Sequence, residues 1–198
     1  MSEKHLLGLI ALLLALIVGV AFFWQPAAEN RAPVVNPLPA GGDFVLQSAN
    51  GPVALADYRG KLSLLYFGYT FCPDICPTSL NTLTAGVAQR TPEERSQVAI
   101  LFISVDPERD SLAHLQTYVR FFDPSMQAIT GSAEQVADVA KRYGVFYQKQ
   151  PEQSAGSGYV VDHTSDTFIV GRDGHLKARM AHDITPDQVA AMIRQYLS

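Results

Sequence analysis

Leu62 to Leu80 reads LSLLYFGYTFCPDICPTSL, and a change of pattern inside it decides the fold. Leu62 to Tyr69 is a nearly continuous apolar run, which suits a strand buried on both faces of a sheet. From Pro77 onward the apolar positions fall at Leu80, Leu83 and Val87. That spacing, opened by a proline, predicts a helix running to about Arg90. The two cysteines of the chain, Cys72 and Cys76, occupy the turn between strand and helix. Cys76 is thus expected near the helix N-cap, where unpaired N–H groups and the macrodipole favour a thiolate. Pro73 restricts the turn and aims the two sulfurs at each other, so they can share one ion or form a bridge.

A bridge across so short a loop adds little stability, and a disulfide-stapled fold would spread more cysteines through the chain. The value of the pair is therefore chemical, against the bland alternative of two inert core cysteines. Redox exchange and metal binding both need a thiolate. Redox turns of this kind place two residues between their cysteines, whereas this one places three, Pro73, Asp74 and Ile75. That count favours metal without eliminating exchange.

Outward from the turn, Val98 to Val105 is a second buried-strand run and Thr167 to Val170 a third. Leu176 to Met180 forms a hairpin with the third through the Asp173–Gly174 turn. Helices are expected from a cap at Asp110 or Ser111 to Phe122, from Ser132 to Tyr143 with Gly144 as its stop, and from Thr185–Pro186 to the C-terminus. The order strand, helix, strand, helix, helix, hairpin, helix implies an α/β fold with a central sheet flanked by helices, the layout of a thioredoxin-like domain.

Two thiolates want one more soft ligand, and thiolate with imidazole suits copper or zinc. His5 precedes a long apolar segment, His114 falls within a helix, and His175 sits beside the hairpin turn; His182 is the remaining one. His163 lies just before the strand at Thr167, in the loop that packs against the cysteine turn in a thioredoxin-like topology. That loop normally carries a cis-proline, yet no proline occurs between Pro151 and Pro186. A histidine in its place points to coordination by Cys72, Cys76 and His163. Other residues take duller roles. Asp106 to Asp110 reads as a turn and helix cap. Asp74 is too hard a ligand for Cu(I). Asp166 is a candidate to orient His163. Met126, Met180 and Met192, with Tyr66 and Phe67, read as core, while Tyr69 and Phe71 could shield a metal. Thr70 and Arg109 match a peroxidase site by residue type alone.

Leu6 to Trp24 is a charge-free run of 19 apolar or small residues, about 28 Å long as a helix and close to a bilayer's hydrocarbon thickness. It is longer than a usual signal-peptide core, although Ala27 and Ala28 offer a cleavage site. The expected organisation is an N-terminal transmembrane anchor over residues 1–25, a Pro/Gly linker over 26–42 and one domain over 43–198. With 17% charged residues and a net charge of −4, no basic patch is available to neutralise phosphates, which excludes a nucleic-acid partner.

Phe67-Gly68-Tyr69-Thr70, Cys72-Pro73-Asp74 and Cys76-Pro77 together resemble the signature of the SCO/SenC family of copper-binding cytochrome oxidase assembly proteins. So do Ser104-Val105-Asp106-Pro107-Glu108-Arg109-Asp110, Tyr143-Gly144-Val145 and Asp162-His163-Thr164-Ser165. These motifs fall in the same order from about Asp43 to the C-terminus. The resemblance implies a thioredoxin-like fold with insertions and copper, Cu(I) or Cu(II), on Cys72, Cys76 and His163. It implies delivery to the binuclear copper site of cytochrome c oxidase subunit II, or alternatively reduction of that site's cysteines as a thiol–disulfide oxidoreductase. A periplasmic copper donor, a thiol reductant and a single-pass inner-membrane location with the soluble domain facing the periplasm follow from the same resemblance. The stretch from Pro151 to Gly158 is the main variable one, a loop that could let His163 swing.

Overall fold

The computed structural model describes residues 37–151 and 158–198, together with 4, 5, 7, 8, 12–14, 16, 17 and 19 near the N-terminus. The described residues before Pro37 are helical and belong to a unit separate from Leu38–Ser198. Much of the expected anchor, most of the linker and the centre of the Pro151–Gly158 loop lie outside the described residues. Among the described residues, no helix is long and apolar enough to cross a membrane.

The unit from Leu38 onward is built on a five-stranded mixed sheet. At its centre β3 (Leu62–Gly68) has every residue buried, as its unbroken apolar run requires. It pairs in parallel with β4 (Val98–Ser104), and β4 in turn with β5 (Gln127–Ile129). On the other side β3 runs antiparallel to β8 (Thr167–Val170), which forms a hairpin with β9 (Leu176–Met180). The four strands expected from the sequence thus form the sheet, and β5 is an addition, too short to show a pattern.

The parallel β3–β4 step needs a crossover, and α1 (Ile75–Ala88) with the short α2 (Pro92–Ser96) supplies it. Helix α1 begins two residues earlier than Pro77 suggests, with Asp74 at the N-cap. Cys76 is therefore inside the first turn, and Pro77 is its third residue, where a backbone N–H is still not required. Helices α3 (Leu112–Arg120), α4 (Ala133–Arg142) and α5 (Pro186–Leu197) start where their caps were expected, with Ser111, Ser132 and Thr185 accepting from the backbone N–H three residues on. Helix α5 packs so closely on α1 that a Cβ on Gly86 would lie 2.5 Å from Val189 Cγ1.

Two small hairpins escape the sequence reading. One is β1 (Val45–Ser48) with β2 (Gly51–Ala54). The other is β6 (Tyr147–Pro151) with β7 (Tyr159–His163), a two-stranded sheet apart from the central one. The second corrects the placement of His163, which ends a strand rather than riding in a free loop. Its Tyr147-Gln148-Lys149-Gln150 stretch is too polar to announce a strand. Gly41 and Gly42, expected in the linker, are tied to the domain. Gly41 N–H donates to Arg142 O at 2.9 Å, and Tyr143 Oη donates to Gly42 O at 3.0 Å.

Candidate metal centre

Three elements converge on one spot. The β3–α1 turn brings Cys72, the first turn of α1 brings Cys76, and the end of β7 brings His163. One donor atom from each, two sulfurs and a ring nitrogen, all lie within 4.8 Å of one another. His163 Nε2 stands 3.3 Å from Cys76 Sγ, and Nδ1 faces the Thr164 carbonyl at 3.0 Å. That carbonyl, not Asp166, sets the ring orientation. Asp166 instead pairs with Arg179 at 3.0 Å. The rings of Tyr69 and Tyr66 meet the imidazole edge-on, at 5.8 and 6.3 Å between centroids. Both cysteines are free thiols and buried.

The close approach depends on Gly68. A Cβ there would sit 2.8 Å from Cys76 Sγ, so the last residue of β3 has to lack a side chain for the helix to seat its cysteine. Cys72 and His163 line a cleft of about 430 Å³ whose walls include Tyr69, Pro73, Ile75, Val160 and Ser165, with Asp74 and Asp162 also on it.

The electrostatics correct one expectation. Cys72, not Cys76, carries the activated thiol. A hydrogen bond from the Cys76 side chain, aided by His163 and by the N–H groups of Cys76 and Asp74, pulls Cys72 down to about 4 against the resistance of burial. Burial first, then the bond to Cys72 and its charge, push Cys76 well above the ordinary thiol value. The helix terminus still acts, but on the sulfur it faces: Cys76 N–H donates to Cys72 Sγ at 3.4 Å. Cys76 itself lies behind Gly68 in the core, where desolvation outweighs the dipole. The pair therefore holds one proton, kept on Cys76.

Asp106 to Asp110 forms the expected turn, with the N–H groups of Arg109 and Asp110 donating to Asp106 O, and of the two cap candidates Ser111 is the one used. Asp106 and Asp110 are instead buried, at 0% and 1% exposed. Asp110 accepts from Thr70 N–H, Thr70 Oγ1 and Ser104 Oγ, fixing the turn that leads to Cys72. His114 is exposed on α3 as expected, yet its Nε2 lies 3.0 Å from Thr70 Oγ1. Tyr69 lines the cleft, while Phe71 stands 46% exposed beside it. Met126 and Met180 are buried in the core, and Met192 packs against it.

The SCO1/SenC family model matches residues 35–198. The SCO2-like protein RP587 of Rickettsia prowazekii is 31% identical over 195 residues, covering 93% of this chain and 95% of that protein. A structure of Bradyrhizobium japonicum ScoI with copper bound superposes with a TM-score of 0.71 at 36% identity, over 80% of this chain and 99% of that one. BsSco, described as a member of the Sco family of cytochrome c oxidase assembly proteins, shares the fold at 24% identity and a TM-score of 0.61, over 81% of this chain and 94% of that one.

Proposed function

The chain belongs to the SCO1/SenC family, and on that footing we propose that it is a copper chaperone for cytochrome c oxidase, binding its cargo through Cys72, Cys76 and His163. One observation carries this reading: two sulfurs and an imidazole nitrogen lie within 4.8 Å of one another, with Cys72 and His163 on the wall of a cleft and Cys76 buried behind them. Two thiolates and an imidazole form a soft donor set suited to three-coordinate Cu(I); Cu(II) would take a further ligand such as water. The cargo passes by ligand exchange to the binuclear copper site of oxidase subunit II, which docks over the cleft. Residues 1–25, with the apolar run Leu6–Trp24, tether the domain to the inner membrane, and it works on the periplasmic side. That compartment is oxidising, so a thiol reductant keeps Cys72 and Cys76 reduced, and a periplasmic donor loads the copper.

The test is Cu(I) uptake by the reduced full chain, measured without oxygen against a chromogenic chelator. One equivalent is expected. Losing a direct ligand costs more than the about 10–100-fold typical of residues behind a ligand, so His163→Ala should weaken binding by more than about a hundredfold. Wild-type protein that takes up no copper refutes the proposal.

The activated Cys72 favours a second reading, reduction of the cysteines in the target site. The Cys72 thiolate attacks a target disulfide and expels one thiolate. Cys76 then loses its proton and resolves the mixed disulfide, so the target gains two electrons and the Cys72–Cys76 pair is oxidised. Exchange of this kind needs no metal ligand, and His163 enters it only through its share in lowering Cys72, behind the larger one from Cys76. An exchange rate that survives His163→Ala while copper uptake collapses separates the two roles.

A further inference from the structure

His163 is borne by a hairpin that the central sheet does not hold. Among the described residues, strands β6 and β7 pair only with each other, so side chains must fix where the imidazole comes to rest. Three of them meet at the far end of β7. Tyr159 Oη donates to Asp106 Oδ1 at 2.7 Å, and Arg109 Nη1 donates to the Tyr159 carbonyl at 2.9 Å. The Arg109 guanidinium lies 3.6 Å from the centroid of the Tyr159 ring. Arg109 is in turn anchored by its ion pair with Asp106, a carboxylate whose side chain is 0% exposed.

The same guanidinium faces the other half of the site. Its Cζ lies 4.8 Å from the Phe71 ring and 5.6 Å from the Tyr69 ring, on the turn that delivers Cys72. Tyr69 then reaches back to the hairpin, accepting from Val161 N–H at 3.2 Å. Tyr159, Val161 and His163 alternate along one strand and so share a face, spanning about 13 Å at the usual strand rise. Fixing the first two aims the third.

We infer that Arg109, seated on Asp106, is a positioning residue: it clasps Tyr159 on one side and the Phe71–Tyr69 turn on the other, and so sets His163 against the two sulfurs. The inference rests on the copper reading for its consequence but not for its geometry. A buried ion pair is a poor source of stability, because desolvation offsets its Coulombic gain, and the best-attested use of one is to fix register. Arginine suits the role because its plane can stack on an aromatic ring while its fork donates. Lysine keeps the charge and loses both.

The experiment uses the reduced full chain as wild type, Arg109→Lys, Tyr159→Phe, His163→Ala and the double variant Arg109→Lys/His163→Ala. Two quantities are measured: amide hydrogen exchange of Val160 to His163 in the copper-free protein, and Cu(I) affinity by chelator competition. Arg109→Lys should speed exchange in β7 about tenfold or more while β3 and β4 stay protected, and should weaken Cu(I) binding about 10–100-fold. In the His163→Ala background the same change should cost less than about twofold, since no imidazole remains to be placed. Tyr159→Phe keeps the stacked ring and should fall between wild type and Arg109→Lys. Equal affinity losses in both backgrounds, or unchanged β7 exchange, overturn the inference, because a general weakening of the fold does not depend on His163. If wild-type protein binds no copper, the proposed function falls while the exchange arm still decides whether Arg109 holds the hairpin.

Discussion

Replacing Gly68 by alanine probes the seat of Cys76 with a single methyl group. The new Cβ would stand 2.8 Å from Cys76 Sγ, 3.0 Å from Tyr66 Cε1 and 3.1 Å from Phe102 Cε2. Ordinary contact begins at 3.4 Å, so the sulfur must withdraw by about 0.6 Å. It has little room, because Cys76 is 0% exposed and the two rings are equally enclosed. Overpacking of this size costs about 1–3 kcal/mol, and a displaced ligand should weaken Cu(I) binding about tenfold or more. Urea unfolding of the reduced protein measures the first effect and chelator competition the second. Cys76→Ala supplies the control: with the sulfur gone the clash shrinks to the two rings, and the cost of Gly68→Ala should drop with it. A Gly68→Ala protein of wild-type stability and affinity, or a cost unchanged by Cys76→Ala, would refute the argument.

Two further outcomes follow from the electrostatics and the buried network. With Cys72 pulled down to about 4, iodoacetamide should label it well below pH 7, while Cys76 resists. Cys76→Ala removes the main cause of the shift, and its labelling midpoint should move up. A depressed folded value means the Cys72 thiolate stabilises the reduced fold fully above the unfolded value near 9.0, and this contribution fades as pH falls towards about 4. Reduced protein whose stability is flat across that window would contradict the assignment. Asp110→Ala strands the buried Ser104 hydroxyl and the Thr70 donors that now bond to it. It should cost about 3 kcal/mol, read as a lowered urea midpoint; a surface cap would lose only about 1 kcal/mol.

The parts of the fold legible in the sequence are those fixed by short-range pattern. Strand β3 announces itself because burial on both faces leaves no polar position in its second half, and Ser111, Ser132 and Thr185 announce their helices because a cap is a local hydrogen bond. The convergence of Cys72, Cys76 and His163 was legible for a different reason: an unusual turn and one histidine placed where the topology returns to it. What could not be read was set by distant contacts. Asp110 looks like a cap until Thr70, 40 positions away, is seen donating to it, and Tyr159 meets Asp106 across 53 positions. The β6–β7 hairpin buries Val161 and takes a hydrogen bond from Arg109, and the polar residues of β6 announce neither. The activated thiol was misplaced because the helix terminus was legible and the desolvation behind Gly68 was not.

That misplacement changes how the site should take up copper. In a pair of ordinary thiols both protons must leave when Cu(I) binds two sulfurs near neutral pH. Here Cys72 has already given up its proton to solvent, and the one left on Cys76 hydrogen-bonds the neighbouring thiolate. Binding through both sulfurs then displaces one proton per copper from the cysteines. The number is accessible from titration calorimetry of Cu(I) transfer at pH 7 in buffers of different ionisation enthalpy, corrected for the carrier. Comparing wild type with Cys76→Ser should show a difference of one. The comparison also tests which sulfur holds the proton, since Cys72→Ser leaves Cys76 as the only thiol and should still release it. A wild-type cysteine contribution of two protons would mean that Cys72 is protonated in the reduced apo-protein. The hydrogen bond from Cys76 would then be too weak to overcome burial, and the attack by a Cys72 thiolate that thiol exchange requires would fail with it.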